Sequence, residues 1–332
     1  MAVHQAALAV RRLGVDASVL YVHGHMSGQK AHGFERIGDR IVLRRPPPKL
    51  WKVWRWSANE RVVDPRLKSL GVPAAEAMDL NTHFVLPEVW PDLGADLLRL
   101  GCANVYLWWL SVDNFPLSSL NQLAQQNLIR RCHNLCQSEY AADFARQNGA
   151  TQISMLSDFI DFQEVEVPIP TRERIVDICY LPNKAIGSEV TMKRLAQDFR
   201  VVPLQNMTRA EIVDVLSNCK IFLDCGFHPG KDRVPREAAL CGCLPVVRRE
   251  GAARFAKDVP LPDPLFVPTE TFFNPDHLRL KLEGILSDPG RFDADLNRYR
   301  AGIARERDVF EAEVKALAAR SAPPAVAPRL AS

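Results

Sequence analysis

The amino-acid sequence predicts an α/β protein of two doubly wound, Rossmann-like domains. Short apolar segments alternate with amphipathic helical segments along most of the 332 residues, and one polar, proline-containing stretch interrupts the series near its middle. Strands that alternate with helices form parallel sheets covered on both faces. The hydrophobic share of 47% is sufficient for two cores of ordinary size.

The first domain is predicted to span residues 1–162. It begins with a helix that ends near Gly14, and the segment ASVLYV (residues 17–22) is predicted to be a strand. Further strands separated by helices follow, with the sequences HFVLPE, ANVYLWWL, HNLCQS and QISMLSD. Because the chain opens on a helix, we expect the first strand–helix unit of this domain to be missing.

The second domain is predicted to span residues 175–318, after a proline-containing polar linker at residues 163–174. Its predicted strands are IVDICYL, RVVPL, IFLD and LPVV, and helices connect them. In the helix that precedes IFLD, Thr208 and Glu211 have the spacing of a capping box. Residues 319–332 are rich in proline and alanine and are predicted to form a disordered tail.

Charge and cysteine usage narrow the class of protein. The 42 basic and 39 acidic side chains nearly balance, which argues against a general nucleic-acid binder. The eight cysteines include no CxxC pair and lie mostly within apolar segments, as expected for buried, reduced thiols. The start of the sequence does not have the pattern of a signal peptide, so none is expected, and no apolar run reaches the roughly 18 residues that cross a bilayer. We therefore expect a cytoplasmic protein.

A dense group of charges occupies the turn between two predicted strands, in the segment HPGKDRVPREAALCGCLPVV (residues 228–247): Lys231, Asp232, Arg233, Arg236 and Glu237. The helix that starts in this turn offers free N–H groups and partial positive charge, which together favour an anion. Gly226 and Gly230 would let a ligand approach the backbone. A diphosphate fits these groups best, and Glu237 could accept hydrogen bonds from a ribose. Spacing alone leaves a solvated turn with internal ion pairs as the alternative.

The segment PREAALCGCLPVV resembles the donor-site helix and strand of sugar-nucleotide glycosyltransferases with the GT-B fold. The longer block DCGFHPGKDRVPREAALCGCLPVVRREGAA is similar to short bacterial transferase-like proteins associated with surface polysaccharides. WWLSVDNF and QSEYAADF in the first half resemble the same group, so the similarity extends from about Val85 to Pro262. The resemblance implies a GT-B-like fold and a nucleoside-diphosphate sugar as substrate, with no separate cofactor.

The resemblance also implies roles for particular residues. Glu237 matches the glutamate that holds the donor ribose. Lys184, after the first strand of the second domain, matches a phosphate-binding lysine, and an exposed loop lysine is the alternative. Gly251 is expected to line the same cleft with its backbone, although a simple turn is the alternative there. With the turn residues, the predicted donor site is Lys184, Gly230, Lys231, Arg233, Arg236, Glu237 and Gly251. One departure is Pro229, which stands where many relatives carry a second glutamate.

Candidates for catalysis lie in the first domain. Glu88 ends one predicted strand and Asp113 follows another, so both are expected to face the cleft, where a carboxylate could take the proton of an acceptor hydroxyl. A helix cap or a turn residue is the alternative for each. A base is needed if the reaction inverts the anomeric configuration, whereas a retaining enzyme can act without a protein base.

The segment Arg44–Trp56 alternates tryptophans with basic residues. It predicts peripheral contact with an anionic membrane surface, which would suit a lipid-linked acceptor, and tryptophans packed on the first domain are the alternative. No group of ligands with convincing metal spacing occurs, so no metal site is expected. The sequence thus predicts a metal-independent glycosyltransferase that acts on a glycan or lipid-linked acceptor. A non-catalytic sugar-nucleotide or glycan-binding protein and a nucleotide-sugar epimerase are the alternatives.

Overall fold

Two parallel β-sheets form the framework of the chain. The structure is a computed structural model that describes residues 1–21, 33–44, 65–115, 122–161 and 173–321. One sheet has four strands and the other has five, and helices cover their faces. The predicted α/β class is therefore confirmed.

The first sheet contains four parallel strands in sequential order, and a separate antiparallel hairpin precedes it. The hairpin strands are β1 (Gly33–Ile37) and β2 (Arg40–Arg44), and the sheet strands are β3 (Phe84–Pro87), β4 (Val105–Trp109), β5 (His133–Cys136) and β6 (Ile153–Met155). The helices of this half are α1 (Ala2–Arg12), α2 (Pro65–Lys68), α3 (Pro91–Arg99), α4 (Gln122–Arg131) and α5 (Glu139–Gln147).

Strand β4 shows why this sheet is covered on both faces. All five of its residues are buried, and successive side chains of a strand point to opposite faces. Leu107 and Trp109 join the core that includes Leu93 on α3, whereas Trp108 joins a core on the other face. A fully apolar strand of this kind is typical of parallel sheets.

The second sheet has the strand order β8-β7-β9-β10-β11. Its strands are β7 (Val176–Tyr180), β8 (Val201–Pro203), β9 (Cys219–Asp224), β10 (Leu244–Arg248) and β11 (Phe266–Val267). The helices that follow are α6 (Glu189–Asp198), α7 (Arg209–Asn218), α8 (Arg233–Leu240), α9 (Thr269–Phe272), α10 (Pro275–Leu286), α11 (Asp293–Ala304) and α12 (Glu306–Ser321). The order reverses between β7 and β9, and such a switch point opens a ligand crevice at the carboxyl ends of the strands.

The last helix returns to the first half of the molecule. Phe310 on α12 packs against Phe159 with ring centroids 5.2 Å apart, and Glu313 accepts hydrogen bonds from the N–H and hydroxyl of Ser157. Helices α1 and α12 also contact each other. Residues 306–318, which the sequence analysis placed in the second domain, therefore pack on the first sheet. The helix also continues to Ser321, into the region expected to be a tail.

Two other details of the prediction differ from the structure. Residues 17–21 of the expected strand ASVLYV form only an isolated bridge, from Val19 to Ala74. Most of the expected linker, residues 163–172, lies outside the described residues. The capping box is confirmed, because the N–H of Glu211 donates to the hydroxyl of Thr208 while the Glu211 carboxylate accepts from the Thr208 N–H.

Candidate functional site

The strand-order switch brings Lys184 and the charged turn together. Lys184 lies in the 3₁₀ turn Pro182–Lys184 directly after β7, and residues 225–232 form the loop between β9 and α8. The ammonium of Lys184 lies 2.5 Å from Oδ2 of Asp232, which is the N-cap residue of α8. A Cβ added at Gly226 would lie 3.0 Å from Cδ of Lys184, so this glycine makes room for the lysine stem. The lysine and the helix N-terminus therefore share one crevice.

Glu237 lies one turn into α8 and is held by two arginines. Its Oε1 lies 3.6 Å from Nη2 of Arg233 and 3.4 Å from Nη2 of Arg209, the first residue of α7. The side chains of Arg209 and Arg233 are 44% and 33% exposed, so both remain accessible to a ligand. Arg209 is not among the site residues predicted from the sequence. Arg209 begins the helix that follows β8, and this position after a parallel strand is the sequence signal that could have identified it as a site residue.

Arg236 lies in the interior and does not face the crevice. Only 1% of its surface is exposed; Nη1 lies 2.7 Å from Glu306 and Nη2 lies 3.0 Å from Asp158. Its Nε also donates to the backbone oxygen of Asp232. Burial lowers the pKa of Arg236, but the charges of Asp158 and Glu306 raise the pKa by more than burial lowers it. The guanidinium therefore stays charged. These contacts do not support Arg236 as a phosphate ligand.

Lys231 is likewise engaged by the protein. Its ammonium lies 3.1 Å from Oε1 of Glu306, and its side chain is 16% exposed. Its backbone N–H donates to Oε1 of Gln137, at 3.1 Å. Lys231 therefore contributes charge near the crevice, but its closest partners are α12 and the first half of the chain.

Both predicted glycines are approached closely by the protein itself. A Cβ on Gly230 would lie 2.3 Å from the backbone oxygen of Leu110. Gly251 has a φ of +51°, and its Cβ would lie 2.2 Å from the backbone oxygens of Phe227 and His228. Val112 also donates a backbone hydrogen bond to Pro229, at 2.8 Å. The missing side chains thus let the charged turn pack on its neighbours.

The same loop contains a buried group of ionisable side chains that was not predicted from the sequence. Asp224 and His228 are each 1% exposed, and Nδ1 of His228 lies 3.8 Å from Asp224 and 3.3 Å from Asp232. Burial raises the pKa of Asp232, but the hydrogen bond from His228 and the charge of Lys184 lower it below its usual range. Oδ2 of Asp224 and Nε2 of His228 have no hydrogen-bond partner among the residues that the structure describes. The three residues meet because the loop turns back on itself.

Two groups of side chains within the described ranges could hold a metal ion. One is Asp224, His228 and Asp232, whose ligand atoms lie within 4.8 Å of one another. The other is a set of three buried cysteines on the second sheet, Cys179, Cys219 and Cys243. In the first group Lys184 already supplies a positive charge to Asp232. Neither group was anticipated from sequence spacing.

The two candidate bases lie in different environments. Glu88 is 2% exposed and accepts hydrogen bonds from the N–H groups of Leu110 and Ser111, at 3.0 and 3.1 Å. Burial raises the pKa of Glu88 to about 7, although these hydrogen bonds act in the opposite direction. Asp113 is exposed, and its pKa is raised by partial burial and by the charge of Asp232. Asp113 is thus the accessible carboxylate beside the crevice, whereas both oxygens of Glu88 are occupied.

The predicted membrane segment lies almost entirely outside the described residues. Of Arg44–Trp56, only the backbone of Arg44, at the end of β2, belongs to the described residues. In the described part of the chain no helix combines the length and the apolar character needed to cross a membrane.

Comparison with known proteins finds similarity in structure only. No protein-family model and no curated protein matches the sequence. Anabaena Alr3699/HepE, solved in complex with UDP-glucose, matches 77% of this chain and 87% of its own chain, with a TM-score of 0.53 and 14% identity.

Two further solved structures match less well. Sucrose-phosphate synthase from Thermosynechococcus elongatus matches with a TM-score of 0.47 and 13% identity, over 83% of this chain and 78% of its own. The catalytic domain of starch synthase IV from Arabidopsis thaliana, bound to ADP and acarbose, matches with a TM-score of 0.42 and 11% identity. This match covers 81% of this chain and 79% of the starch synthase chain. The sheet topology and the match to HepE together show that the described chain has the GT-B fold.

Proposed function

We propose that this protein is a glycosyltransferase that moves a sugar from a nucleoside diphosphate to an acceptor hydroxyl. The observation that carries the proposal is the convergence of Lys184, Arg233 and Glu237 at the carboxyl ends of β7 and β9. This is the edge of the sheet where an open α/β fold binds its ligand. UDP-glucose in the HepE complex makes uridine diphosphate sugars the first donors to test.

In this proposal each charged group has a defined task. Lys184, Arg233 and the N-terminus of α8 bind the diphosphate and stabilise the negative charge that develops as it leaves. Glu237 accepts hydrogen bonds from the ribose hydroxyls, while Arg209 and Arg233 hold its carboxylate in place. These cationic groups supply the charge that the leaving diphosphate requires, so the proposed reaction needs no metal ion. Gly230 and Gly251 keep the loop in position.

Asp113 is the proposed general base if the reaction inverts the anomeric configuration. It is exposed, and its raised pKa brings it closer to the pH at which it would accept a proton. Glu88 has a structural task, because its two oxygens hold the backbone on which the charged turn packs.

The proposed setting is surface-polysaccharide assembly in a bacterial cytoplasm. The eight cysteines are buried and unpaired, which is consistent with a reducing compartment. A glycan or lipid-linked acceptor would be reached from the inner face of the membrane, with Arg44–Trp56 as the proposed peripheral contact. This part of the proposal comes from the sequence resemblance.

The proposal is tested by thermal unfolding with UDP, GDP, ADP, CMP, dTDP and their sugar conjugates. Nucleotide at about 100 times its Kd adds about 2.7 kcal/mol of stability, which corresponds to a Tm increase of about 5–10 °C. We expect one base to produce this shift in the wild type, and we expect the shift to be lost in Glu237→Ala. The control is Asp308→Ala, which removes an exposed carboxylate on α12 and should retain the shift.

Two outcomes would contradict the proposal. If no nucleotide raises the Tm of the wild type, the crevice is not a donor site. If a bound nucleotide sugar is converted to its epimer without any acceptor, as followed by NMR, the protein is an epimerase. Transfer to an added acceptor supports the transferase.

A further inference from the structure

Three cysteine side chains meet in the core of the second sheet. Cys179 lies in β7, Cys219 is the first residue of β9, and Cys243 directly precedes β10. These strands are neighbours in the sheet, and the three sulfur atoms all lie within 4.8 Å of one another. Each of the three residues is 0% exposed. The fold thus brings three thiols from separate parts of the sequence together in the protein interior.

The spacing of the sulfur atoms suits a single ion. Thiolates bind metal ions at about 2.3 Å, so three thiolates in a triangle around one ion lie about 4 Å apart. The observed spacing of 4.8 Å or less is close to this value. Among the described residues the group has three members, whereas zinc in structural sites almost always has four ligands. The geometry therefore favours an ion that accepts three ligands.

The surroundings of the thiols favour a soft ion. The three cysteines belong to a core cluster that also contains Leu216 on α7 and Phe222 on β9. Hard cations such as Mg²⁺ and Ca²⁺ take oxygen ligands, and Mg²⁺ usually keeps several waters. Soft thiolate ligands instead select ions such as Cu(I). A site made of three sulfur atoms among apolar side chains therefore fits a soft ion.

One guanidinium supplies positive charge beside the thiols. Arg174 donates to the backbone oxygens of Cys219 and Cys241, at 2.7 and 2.8 Å. Gly242 gives it room, because a Cβ there would lie 2.6 Å from Nη2 of Arg174. Three thiolates and one monovalent ion together carry a charge of −2, and Arg174 brings the sum to −1. The arginine therefore lowers the cost of burying the bound form.

We propose that Cys179, Cys219 and Cys243 form a binding site for a soft monovalent metal ion such as Cu(I). Each cysteine binds as its thiolate, so the thiol protons pass to the solvent when the ion enters. Cys219 donates its proton to the backbone oxygen of Ile221, at 3.1 Å, and this contact is exchanged for a metal–sulfur bond. The inference is independent of the proposed function, because none of the three cysteines has a task in the donor site.

The test adds Cu(I) to the wild-type protein under anaerobic, reducing conditions, with bathocuproine disulfonate as the competing chelator. Because the thiols are buried, one sample is loaded in the folded state and a second is refolded from urea with the ion present. We expect one Cu(I) per chain and, at about 100 times Kd, a Tm increase of about 5–10 °C. X-ray absorption should show three sulfur neighbours at about 2.3 Å from the ion.

Cys179→Ser and Cys243→Ser each remove one ligand, and Cys241→Ser is the matched control. Cys241 is a buried cysteine of the same core cluster but is not a member of the group of three. We expect each of the first two variants to weaken Cu(I) binding by more than about 100-fold, the upper limit of what loss of an outer-shell partner costs. The control should bind like the wild type. Thermal unfolding without metal shows whether each variant folds.

Several outcomes would overturn the inference. It is wrong if neither wild-type sample binds Cu(I), if both ligand variants bind as tightly as the wild type, or if fewer than three sulfur atoms surround the ion. If the ligand variants do not fold, the sulfur count in the wild type decides. An equal Tm increase with Zn²⁺ would overturn the assignment to a soft monovalent ion. The nucleotide panel on metal-free protein tests the proposed function separately.

Discussion

Glu88 illustrates how one buried side chain supports the crevice from a distance. It follows β3, and its two carboxylate oxygens hold the N–H groups of Leu110 and Ser111 just after β4. The backbone oxygen of Leu110 in turn lies against Gly230 of the charged turn. The Glu88 carboxylate therefore holds in place the backbone against which the charged turn packs.

The raised pKa of Glu88 predicts a pH-dependent contribution to stability. In the unfolded chain the carboxyl titrates near its ordinary 4.5, whereas in the folded protein it titrates at about 7. The folded state therefore keeps a proton that the unfolded state releases. This contribution is fully present below pH 4.5 and is lost as the pH rises through 7. The loss is on the order of 3 kcal/mol.

The measurement is the free energy of unfolding in urea at pH 5 and pH 8, for the wild type and for Glu88→Gln. We expect the variant to lose less stability than the wild type over this interval, because glutamine does not titrate. The exposed Glu270→Gln is the matched control and should behave like the wild type. Equal pH dependence in Glu88→Gln and the wild type would show that Glu88 is ionised throughout.

At the scale of an element, helix α5 is capped from both halves of the molecule. Its own N-cap, Ser138, accepts a hydrogen bond from the N–H of Ala141 at 3.1 Å. Asp258, from the second half, accepts from the N–H groups of Glu139 and Tyr140, at 2.8 and 3.0 Å. The first N–H groups of a helix have no partner within the helix. Asp258 thus caps the N-terminus of α5 and links this helix to the part of the chain that forms the second sheet.

Asp258→Ala should loosen the start of α5 and destabilise the protein by about 1–3 kcal/mol, because two partly buried N–H groups lose their acceptor. Hydrogen exchange should become faster at the amides of Glu139 and Tyr140. The control is Asp263→Ala, since that side chain is 88% exposed and pairs only with Arg249 among the contacts described. Unchanged exchange at both amides in Asp258→Ala would contradict the assigned cap.

At the scale of the whole molecule, Arg236 joins three separate parts of the chain. It lies on α8, and its guanidinium pairs with Asp158 beyond β6 and with Glu306 at the start of α12. Both Asp158 and α12 belong to segments that pack on the first sheet. The two ion pairs therefore link α8, which packs on the second sheet, to the first sheet. Removing the arginine would leave buried Asp158 without this counter-charge, and Glu306 would keep only its contact with Lys231.

Arg236→Leu should therefore cost about 3–5 kcal/mol, the range for removing one partner of a buried ion pair. Arg298→Ala removes an arginine that is 74% exposed and pairs with Asp295 at 2.8 Å, and it should cost at most about 1 kcal/mol. Urea unfolding of the two variants and the wild type makes the comparison. If both substitutions lower the free energy of unfolding by a similar amount, the buried ion pairs of Arg236 contribute no more stability than the surface pair of Arg298.

Much of the architecture was predictable because its signals are local. The periodicity and spacing of neighbouring residues were enough to predict β4, β9, the capping box at Thr208 and the charged turn at the start of α8. The strand ASVLYV was predicted wrongly over residues 17–21, since a single bridge to Ala74 replaces the expected pairing. An apolar segment shows that a strand is possible, but the partner strand must also be present.

The sequence by itself determined the α/β class, the order of the elements and the charged turn, because helix and strand periods act over a few residues. Only the tertiary structure decided which charges face the crevice. Arg233 and Arg236 lie three residues apart on one helix, yet Arg233 is accessible while Arg236 is buried by Asp158 and Glu306, carboxylates 78 and 70 residues away. The side chains that neutralise a charge come from distant parts of the chain, so its role depends on how those parts pack.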